Sequence, residues 1–395
     1  MTNFKYCLLI GSIIFFAACK STKKTTAPSP PVTVKPQEKP VEQPKTVVIP
    51  SKINIALLLP LELKSTLALE TTDAEIKSST LNNLQFYEGF ILAVDSIRKT
   101  GKQVNVATYD SDIDSMSFIN LLYKRDVMAS DYIVCSANSN YVPAASMVAQ
   151  KHNNKILFVQ PVMQNNVVKE NKDAWLALPA NYTQSSLMAS YLATSYPTAK
   201  FSIIFRDTGR EKTWAGFFND ELKKAGATDV QTKLYSKAFV DSLPLTINKS
   251  KPNVFLIPSS DEAFVSPLLT KLNDAGAPNT IAAGLPTWET FESVDFSSYK
   301  NLKTLYFTST FIDENNFSVK NFQKCFYKSY HTLPVFNAYL GFDMALFLSN
   351  LQFKSDAGIK SVLNYNFEQP FPASGFENRF ISVVGIEDYK VVKKN

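Results

Sequence analysis

The chain has 395 residues, of which 45% are hydrophobic and 12% aromatic, enough apolar material for two hydrophobic cores. Its formal net charge is +6, but seven lysines against two glutamates lie in the first fifty residues, so the remainder is nearly neutral. This distribution argues against a nucleic-acid partner, which requires a broad basic surface.

The N-terminus has the pattern of a secretory signal. Lys5 is followed by an apolar stretch at 8–16 that is too short to span a bilayer stably. The stretch ends in Phe-Ala-Ala-Cys at 16–19, which resembles the lipobox of bacterial lipoproteins, where the cysteine thiol is acylated. We therefore interpret residues 1–19 as a lipoprotein signal peptide and Cys19 as the lipidated membrane anchor. The alternative is an ordinary signal peptide with an incidental cysteine.

Residues 20–50 have the composition of a disordered, proline-rich tether. Seven prolines deny the segment a helix or a central strand, and its Lys, Thr and Val residues cannot bury a core. Proline keeps such a chain extended, so its reach is at most roughly 90 Å. The five residues after Cys19 contain no Asp, the residue that retains lipoproteins at the inner membrane in well-studied bacteria. The pattern predicts a periplasmic protein anchored to the outer membrane.

Short apolar runs recur through residues 51–395, beginning with INIALLLPL at 53–61. The later runs lie at 104–109, 132–135, 156–159, 201–205, 254–257, 280–283 and 304–308. A continuous apolar run predicts a strand buried on both faces, which is typical of a parallel sheet covered by helices. Helical patterns lie between the runs, so the order predicts a doubly wound α/β fold.

The segment between the first two runs predicts an amphipathic helix. In LNNLQFYEGFILAVDSI, at 81–97, an expected buried stripe recurs at helical spacing. It consists of Leu84, Tyr87, Ile91 and Val94, widened by Phe90 and Ile97.

The sequence contains few groups that carry chemistry. It has no phosphate-binding glycine loop after the first strand, no GxSxG motif and only two histidines, neither in metal-ligand spacing. Cys135 lies inside an apolar run, which favours a buried thiol over a disulfide. Asp110 and Asp112 could pair as catalytic carboxylates, but residues two apart at the end of a strand more often form a turn and helix cap. We therefore expect no cofactor and no metal, and predict that the protein is not an enzyme.

Ligands of doubly wound sheets lie at the carboxyl ends of the strands. Hydroxyl, amide, charged and indole side chains follow the predicted strands, a set that suits holding a small polar molecule. The candidate ligand-binding residues are Ser136, Asn138, Gln160, Gln164, Asp207, Trp214, Ser259, Asp261 and Trp288.

Several segments resemble the type I periplasmic binding proteins, which include the branched-chain amino acid receptors of ABC transporters. They are INIALLLPLEL at 53–63, FYEGFILAVDSI at 86–97, and the stretches at 131–162, 181–207, 338–351 and 374–393. The resemblance implies two lobes with doubly wound parallel sheets, joined by three crossovers, that close on a ligand. It places lobe 1 at about 51–178 and 302–360, and lobe 2 at about 179–301 and 361–395.

The resemblance also implies roles for single residues. Ser136 falls where amino acid receptors use a hydroxyl to bind the ligand carboxylate, and Gln164 falls where they often have Thr. Trp214 matches an aromatic residue of the second lobe, and Asp261 a position often filled by Tyr.

One expected residue of amino acid receptors is missing. The acidic residue that holds the ligand's α-ammonium should follow Gly284, where this chain has Leu285 and Pro286. Asp261 is left as the candidate for that role.

Two functions are expected from the resemblance. The first is an anchored substrate-binding protein, as in ABC transport, that holds a small polar solute between its lobes. The alternative is an interaction module without a solute, as in outer-membrane lipoproteins that activate peptidoglycan synthases.

Overall fold

A computed structural model of the chain describes residues 52–63, 76–111, 115–276, 279–353, 360–387 and 390–395. Cys19, the predicted signal peptide and the predicted tether lie outside the described residues. The described part contains two seven-stranded sheets, each at the centre of one lobe.

Strands and helices alternate through most of the chain. The strands are β1 (Lys52–Leu59), β2 (Gln103–Asp110), β3 (Tyr132–Cys135), β4 (Lys155–Phe158), β5 (Ala174–Leu176), β6 (Lys200–Phe205), β7 (Asp229–Leu234), β8 (Asn253–Leu256), β9 (Thr280–Gly284), β10 (Leu305–Thr308), β11 (Phe367–Glu368), β12 (Phe376–Asn378), β13 (Ser382–Glu387) and β14 (Lys390–Lys393). The helices are α1 (Ser78–Arg98), α2 (Ser115–Leu122), α3 (Arg125–Met128), α4 (Val142–Lys151), α5 (Asn166–Glu170), α6 (Asn181–Ser195), α7 (Gly209–Lys224), α8 (Lys237–Thr246), α9 (Glu262–Asp274), α10 (Phe296–Asn301), α11 (Phe317–Tyr330) and α12 (Phe336–Phe353).

The two sheets have the same plan. The strand order is β11-β12-β5-β4-β3-β1-β2 in lobe 1 and β14-β13-β10-β9-β8-β6-β7 in lobe 2. Neighbouring strands are parallel except in the pairs β11 with β12, β10 with β13 and β13 with β14. The predicted two-lobed α/β fold is confirmed. Each sheet is mixed, however, rather than parallel throughout.

All eight apolar runs of the sequence form strands, namely β1 to β4, β6 and β8 to β10. The runs failed to indicate β5 and β7 for different reasons. Strand β5 has only three residues. Strand β7 lies at a sheet edge, where the half-buried sequence DVQTKL needs no continuous apolar run.

The predicted boundaries between the lobes need two corrections. Strand β10 pairs with β9 and therefore belongs to lobe 2, whereas β12 pairs with β5 and belongs to lobe 1. The chain crosses between the sheets at 177–180, which includes the predicted boundary near 179. The other two crossovers lie at 309–316 and 379–381, rather than near 302 and 361. Short strands carry no local signal of the sheet they will join, because strand pairing is a non-local contact.

The buried face of α1 overlaps the predicted stripe only in part: Phe90, Val94 and Ile97 are buried as predicted, but the other three residues are not. Leu84 is 40% exposed, and Tyr87 and Ile91 are only half-buried. The face that packs on α12 is centred on Gly89, where an added Cβ would lie 1.9 Å from the backbone oxygen of Ala338. The fully buried apolar side chains of α1 are Phe86, Phe90, Ala93, Val94 and Ile97.

Cys135 lies in the core of lobe 1, as the sequence predicted. Its thiol is free and fully buried, and burial raises its pKa to about 12. None of the described helices combines the length and the apolar character that crossing a membrane requires.

Candidate ligand-binding site

The carboxyl ends of the parallel strands carry most of the candidate side chains, as the sequence predicted. In lobe 1, Ser136 follows β3 and Gln160 follows β4. In lobe 2, Arg206 follows β6 and Ser259 follows β8. Loops at these ends are free of the sheet's hydrogen bonds, so their side chains can face a ligand.

A pocket of about 540 Å³ lies between the loop after β4 in lobe 1 and helices α6 and α7 in lobe 2. It brings together two of the predicted residues, Gln164 from lobe 1 and Trp214 from lobe 2. Its lining residues include Met163, Gln164, Tyr182, Arg210, Trp214 and Phe217.

Helix α7 supplies the aromatic wall of this pocket. It begins where the Thr208 hydroxyl caps it by accepting a hydrogen bond from the backbone N of Glu211, at 3.2 Å. Arg210, Trp214 and Phe217 then share one helical face, because their spacing is four and three residues. The Trp214 ring is half-buried and meets Phe217 edge-on, with ring centroids 6.3 Å apart.

Three charged side chains of α7 line the pocket, two positive and one negative. Lys212 pairs with Asp207, which is exposed and lies outside the pocket lining. Asp220 accepts a hydrogen bond from Asn219 at 3.0 Å. The exposed guanidinium of Arg210 has no hydrogen bond or ion pair with any described residue. Arg210 is therefore available to an anionic ligand.

A second charged group lies at the ends of β6 and β8. The Arg206 guanidinium pairs with the Glu211 carboxylate and, at 2.5 Å, with Asp261. The Ser259 hydroxyl donates to Glu211 Oε1 at 2.8 Å. Burial opposes ionisation of Glu211, but the hydrogen bonds from Arg206 and Ser259 outweigh it and lower the pKa of this carboxyl below its ordinary value.

These contacts give two predicted site residues structural partners. Asp261 also caps α9, where it accepts a hydrogen bond from the backbone N of Phe264. The Arg206 hydrogen bond lowers the pKa of Asp261, so the carboxylate stays ionised and paired. Ser259 is almost completely buried. Asp261 is therefore already neutralised by Arg206, which makes it a weaker partner for an α-ammonium than an unpaired carboxylate would be.

Trp288 is a core residue, which corrects its assignment to the site. The indole is fully buried, and its Nε1 donates to the backbone oxygen of Ser259 at 3.0 Å. Its ring lies against Gly284, where a Cβ would be 2.1 Å from Trp288 Cε2. The sequence placed Trp288 at a strand end, but the 3-10 turn after β9 directs it into the protein.

Three further predicted residues lie in lobe 1. The half-buried Ser136 hydroxyl donates to Asn83 Oδ1 at 3.3 Å, and neither residue lines the pocket. Asn138 is exposed and caps the turn at Ser139–Tyr141 by accepting from Asn140 N. Both amide atoms of Gln160 are buried and have no hydrogen-bond partner in the part of the chain that the structure describes.

The Asp110 carboxylate binds the backbone of the loop that follows β1, a long-range contact that the sequence did not indicate. Its Oδ1 accepts from the backbone N of Leu61 at 2.9 Å, and its Oδ2 from that of Leu63 at 2.8 Å. Asp112 lies outside the described residues, so the suggested carboxylate pair stays untested. Among the described side chains, no group of three His, Cys, Asp or Glu residues could hold a metal ion.

Sequence reasoning passed over Arg210 and Tyr182. Each lies in the first turn of a helix that follows a strand, Arg210 in α7 after β6 and Tyr182 in α6 after β5, a placement that could have indicated them. The first turn of a helix after a strand is where a side chain can reach the space between two lobes.

Neither a family model nor a curated protein matches the chain. Solved structures do match it. An ABC transporter substrate-binding protein from Desulfitobacterium hafniense in complex with Leu is 13% identical, with a TM-score of 0.56 over 87% of this chain and 100% of that one. A protein described as a branched-chain amino acid ABC transporter from Rhodospirillum rubrum is 13% identical, with a TM-score of 0.65 and the same coverage of both chains.

Full-length LpoA from Haemophilus influenzae is also similar. It is 12% identical with a TM-score of 0.57, and the match covers 87% of this chain but only 59% of LpoA. At these identities the likeness shows the fold. The chain has the two-lobed fold of the type I periplasmic binding proteins, as the sequence predicted.

Proposed function

We propose that the protein is a periplasmic solute-binding lipoprotein, not an enzyme, whose two lobes close on a small molecule. One observation carries the proposal: residues of both lobes line the pocket of about 540 Å³ at the carboxyl ends of β4 and β6. A pocket of this size fits a small-molecule ligand, and this position is the usual one in folds of this kind.

The lining residues favour a solute with a flat apolar body and an acidic group. Trp214, Tyr182 and Phe217 offer ring faces and edges to the apolar part. Arg210 offers a planar guanidinium that can bind a carboxylate or a phosphate through two hydrogen bonds. The proposed solute is therefore an aromatic or cyclic acid.

A free α-amino acid fits less well. Asp261 is already paired with Arg206, and Leu285 is buried in the core of lobe 2. A buried ammonium without an acceptor loses several kcal/mol, enough to abolish micromolar binding. The leucine complex of the D. hafniense neighbour is therefore not a guide to the solute of this chain.

The proposed location is the periplasmic side of the outer membrane, with an anchor at Cys19. The Phe-Ala-Ala-Cys sequence and the proline-rich segment at 20–50 support this assignment. Double or triple acylation makes such an anchor effectively permanent, since each buried methylene adds about 0.8 kcal/mol.

Tryptophan fluorescence tests the proposal directly. The chain has three tryptophans. Trp288 is fully buried and Trp175 stacks on Phe376, so a solute in the pocket should mainly change the emission of Trp214. The purified full-length protein in detergent is titrated with a series of aromatic and alicyclic carboxylates and phosphates. At least one compound is expected to change the emission saturably.

Variants locate the response. Trp214→Phe is expected to remove the emission change, and Arg210→Gln to weaken binding about tenfold, since a lost charge-assisted hydrogen bond is worth about 1.5–3 kcal/mol. Arg125→Gln removes an exposed arginine of lobe 1 and serves as the matched control. Equal loss of binding in Arg125→Gln, or none in Arg210→Gln, contradicts the proposed site.

The alternative function is an interaction module such as an outer-membrane lipoprotein that regulates peptidoglycan synthesis. The internal pairing of Arg206, Glu211 and Asp261 favours it, because these groups satisfy each other and need no solute. If none of the titrated compounds changes the emission, this alternative replaces the first proposal.

A further inference from the structure

Lobe 2 has a second pocket, at the edge of its sheet opposite the proposed solute site. It has a volume of about 470 Å³. Its residues precede strands rather than follow them: Tyr196 precedes β6, and Lys300 to Thr304 precede β10. Because β13 is antiparallel to β10, the carboxyl end of β13 reaches the same edge. The two pockets are therefore separated by the length of the sheet.

We call this cavity the amino-edge pocket, because residues that precede strands line it. Its lining is positively charged. It contains the ammonium groups of Lys300, Lys303 and Lys394 and one carboxylate, that of Glu387. Lys394 pairs with Glu387. Lys300 and Lys303 are exposed and form no hydrogen bond or ion pair with the residues that the structure describes. Among the described residues, therefore, the pocket has two positive charges without an acidic partner.

The position of Lys394 depends on a glycine of the neighbouring strand. A Cβ on Gly385 would lie 3.0 Å from Lys394 Cε and 3.1 Å from the backbone oxygen of Thr304. The absence of a side chain at 385 thus allows the lysine stem to lie across β13. This contact holds the third ammonium at the pocket wall rather than free in solvent.

Uncharged hydroxyl groups complete the wall. Tyr191, Tyr196 and Thr304 line the pocket. Tyr299 also lines it, but its hydroxyl donates to the backbone oxygen of Trp288 at 3.3 Å. Burial raises the pKa of Tyr196, so its hydroxyl stays protonated and can donate a hydrogen bond. Thr304 is 2% exposed, and its Oγ1 has no hydrogen-bond partner among the described residues. Unpartnered buried hydroxyls are uncommon, since each leaves the cost of desolvation uncompensated.

We propose that this amino-edge pocket binds a small anion with at least two negative charges, carried by phosphate or carboxylate groups. The two unpaired lysines neutralise its charge, and the tyrosine rings contact its carbon framework. The site differs from the proposed solute pocket in position and in charge, and its occupation does not depend on what the solute pocket binds.

Calorimetric titration of the full-length protein in detergent tests the proposal with two probes, pyrophosphate and citrate. Binding of at least one probe is expected, weakening as sodium chloride is raised from about 50 to 500 mM because salt screens exposed charges. The tighter probe identifies the phosphate or the carboxylate class.

Two substitutions, combined in one double variant, assign the binding to this pocket. Lys300→Gln keeps a good helix former in α10, and Lys303→Asn replaces a lysine with φ of 43° by a residue that tolerates the left-handed region. The double variant is expected to bind about tenfold more weakly or more, with an unchanged melting temperature. Lys172→Asn, an exposed lysine of lobe 1, is the matched control and should bind as the native protein does.

Two results overturn the proposal: no heat of binding from either probe, or equal affinity in the native protein and the double variant. Neither result bears on the solute pocket, because Arg210 and Trp214 are unchanged in these variants. Conversely, if no compound changes the tryptophan fluorescence, the calorimetric titration still decides whether the amino-edge pocket binds an anion.

Discussion

The carboxylate of Glu377 accepts a hydrogen bond from the backbone N of Ala180 at 2.8 Å and thereby joins two of the crossovers between the lobes. Its second oxygen accepts from Asn165 Nδ2 at 2.7 Å, one residue beyond the pocket residue Gln164. Asn378 adds a bond to the backbone oxygen of Ala177 at 3.0 Å. The first and third crossovers are thus tied together beside the proposed solute pocket.

Glu377→Ala is expected to lower the free energy of unfolding by about 3 kcal/mol, because Glu377 is fully buried and two donors lose their acceptor. Glu377→Gln should cost less, since its amide oxygen still accepts from Ala180 N. Urea unfolding followed by circular dichroism measures both values. If the two variants were equally stable, the hydrogen bond to Ala180 would have no energetic role.

Gly89→Ala is expected to destabilise lobe 1 by about 2–3 kcal/mol, because α1 and α12 would have to move apart. Gly216→Ala is the matched control in α7, where an added Cβ meets nothing within 4 Å. That substitution should stabilise the protein by about 0.5–1 kcal/mol through helix propensity. Melting temperatures of the two variants should therefore shift in opposite directions.

Asp343 predicts a pH dependence of stability. Its carboxyl is buried in α12, and burial raises its pKa to about 7 despite hydrogen bonds from the backbone N of Val362 and of Leu363, both at 2.7 Å. The folded chain therefore holds a proton between about pH 4 and pH 7 that the unfolded chain has released. The free energy of unfolding should fall as the pH rises through this window, by at most about 1.4 kcal/mol per unit.

Asp343→Asn should remove this slope, since an amide does not titrate. Urea unfolding at pH 5, 6 and 7 provides the measurement, with Glu170→Gln, an exposed acid of lobe 1, as the control that keeps the native slope. A slope that persists in Asp343→Asn would assign the pH dependence to other groups.

Cys19→Ala tests the anchor. The substitution removes the thiol that acylation requires, so the protein should move from the membrane fraction to the soluble fraction of lysed cells. Cys7→Ala, within the predicted signal peptide, is the control that should leave the distribution unchanged. Retention of the Cys19→Ala protein in the membrane fraction would contradict lipid anchoring.

Seven of the eight strands that the apolar runs indicated are largely buried, and such strands are apolar along their length, a property that is visible locally. Strand β2 is the exception, because it lies at the edge of its sheet and most of its residues are exposed or half-buried. The helix at 78–98 was also visible, but the sequence indicated only part of its buried face, namely Phe90, Val94 and Ile97. Leu84 fits a helical stripe as well as Phe86 does, and only the close approach of α12 at Gly89 decides which side is covered.

For the site, the strand ends indicated where side chains gather, and Gln164 and Trp214 do share a pocket. Their chemistry was less predictable. Trp288 and Asp261 stand at strand ends as Trp214 does, yet one is packed in the core and the other is paired with Arg206. These contacts join residues 29 and 55 positions apart, and no local pattern records them.

By itself, the sequence determined the apolar strands, their alternation with helices and the two-lobed α/β class, because burial and periodicity act on neighbouring residues. Only the tertiary structure decided which sheet β10 and β12 join, which polar groups satisfy each other and which remain available to a ligand. Those outcomes depend on contacts between distant segments, whose geometry is set when the lobes pack.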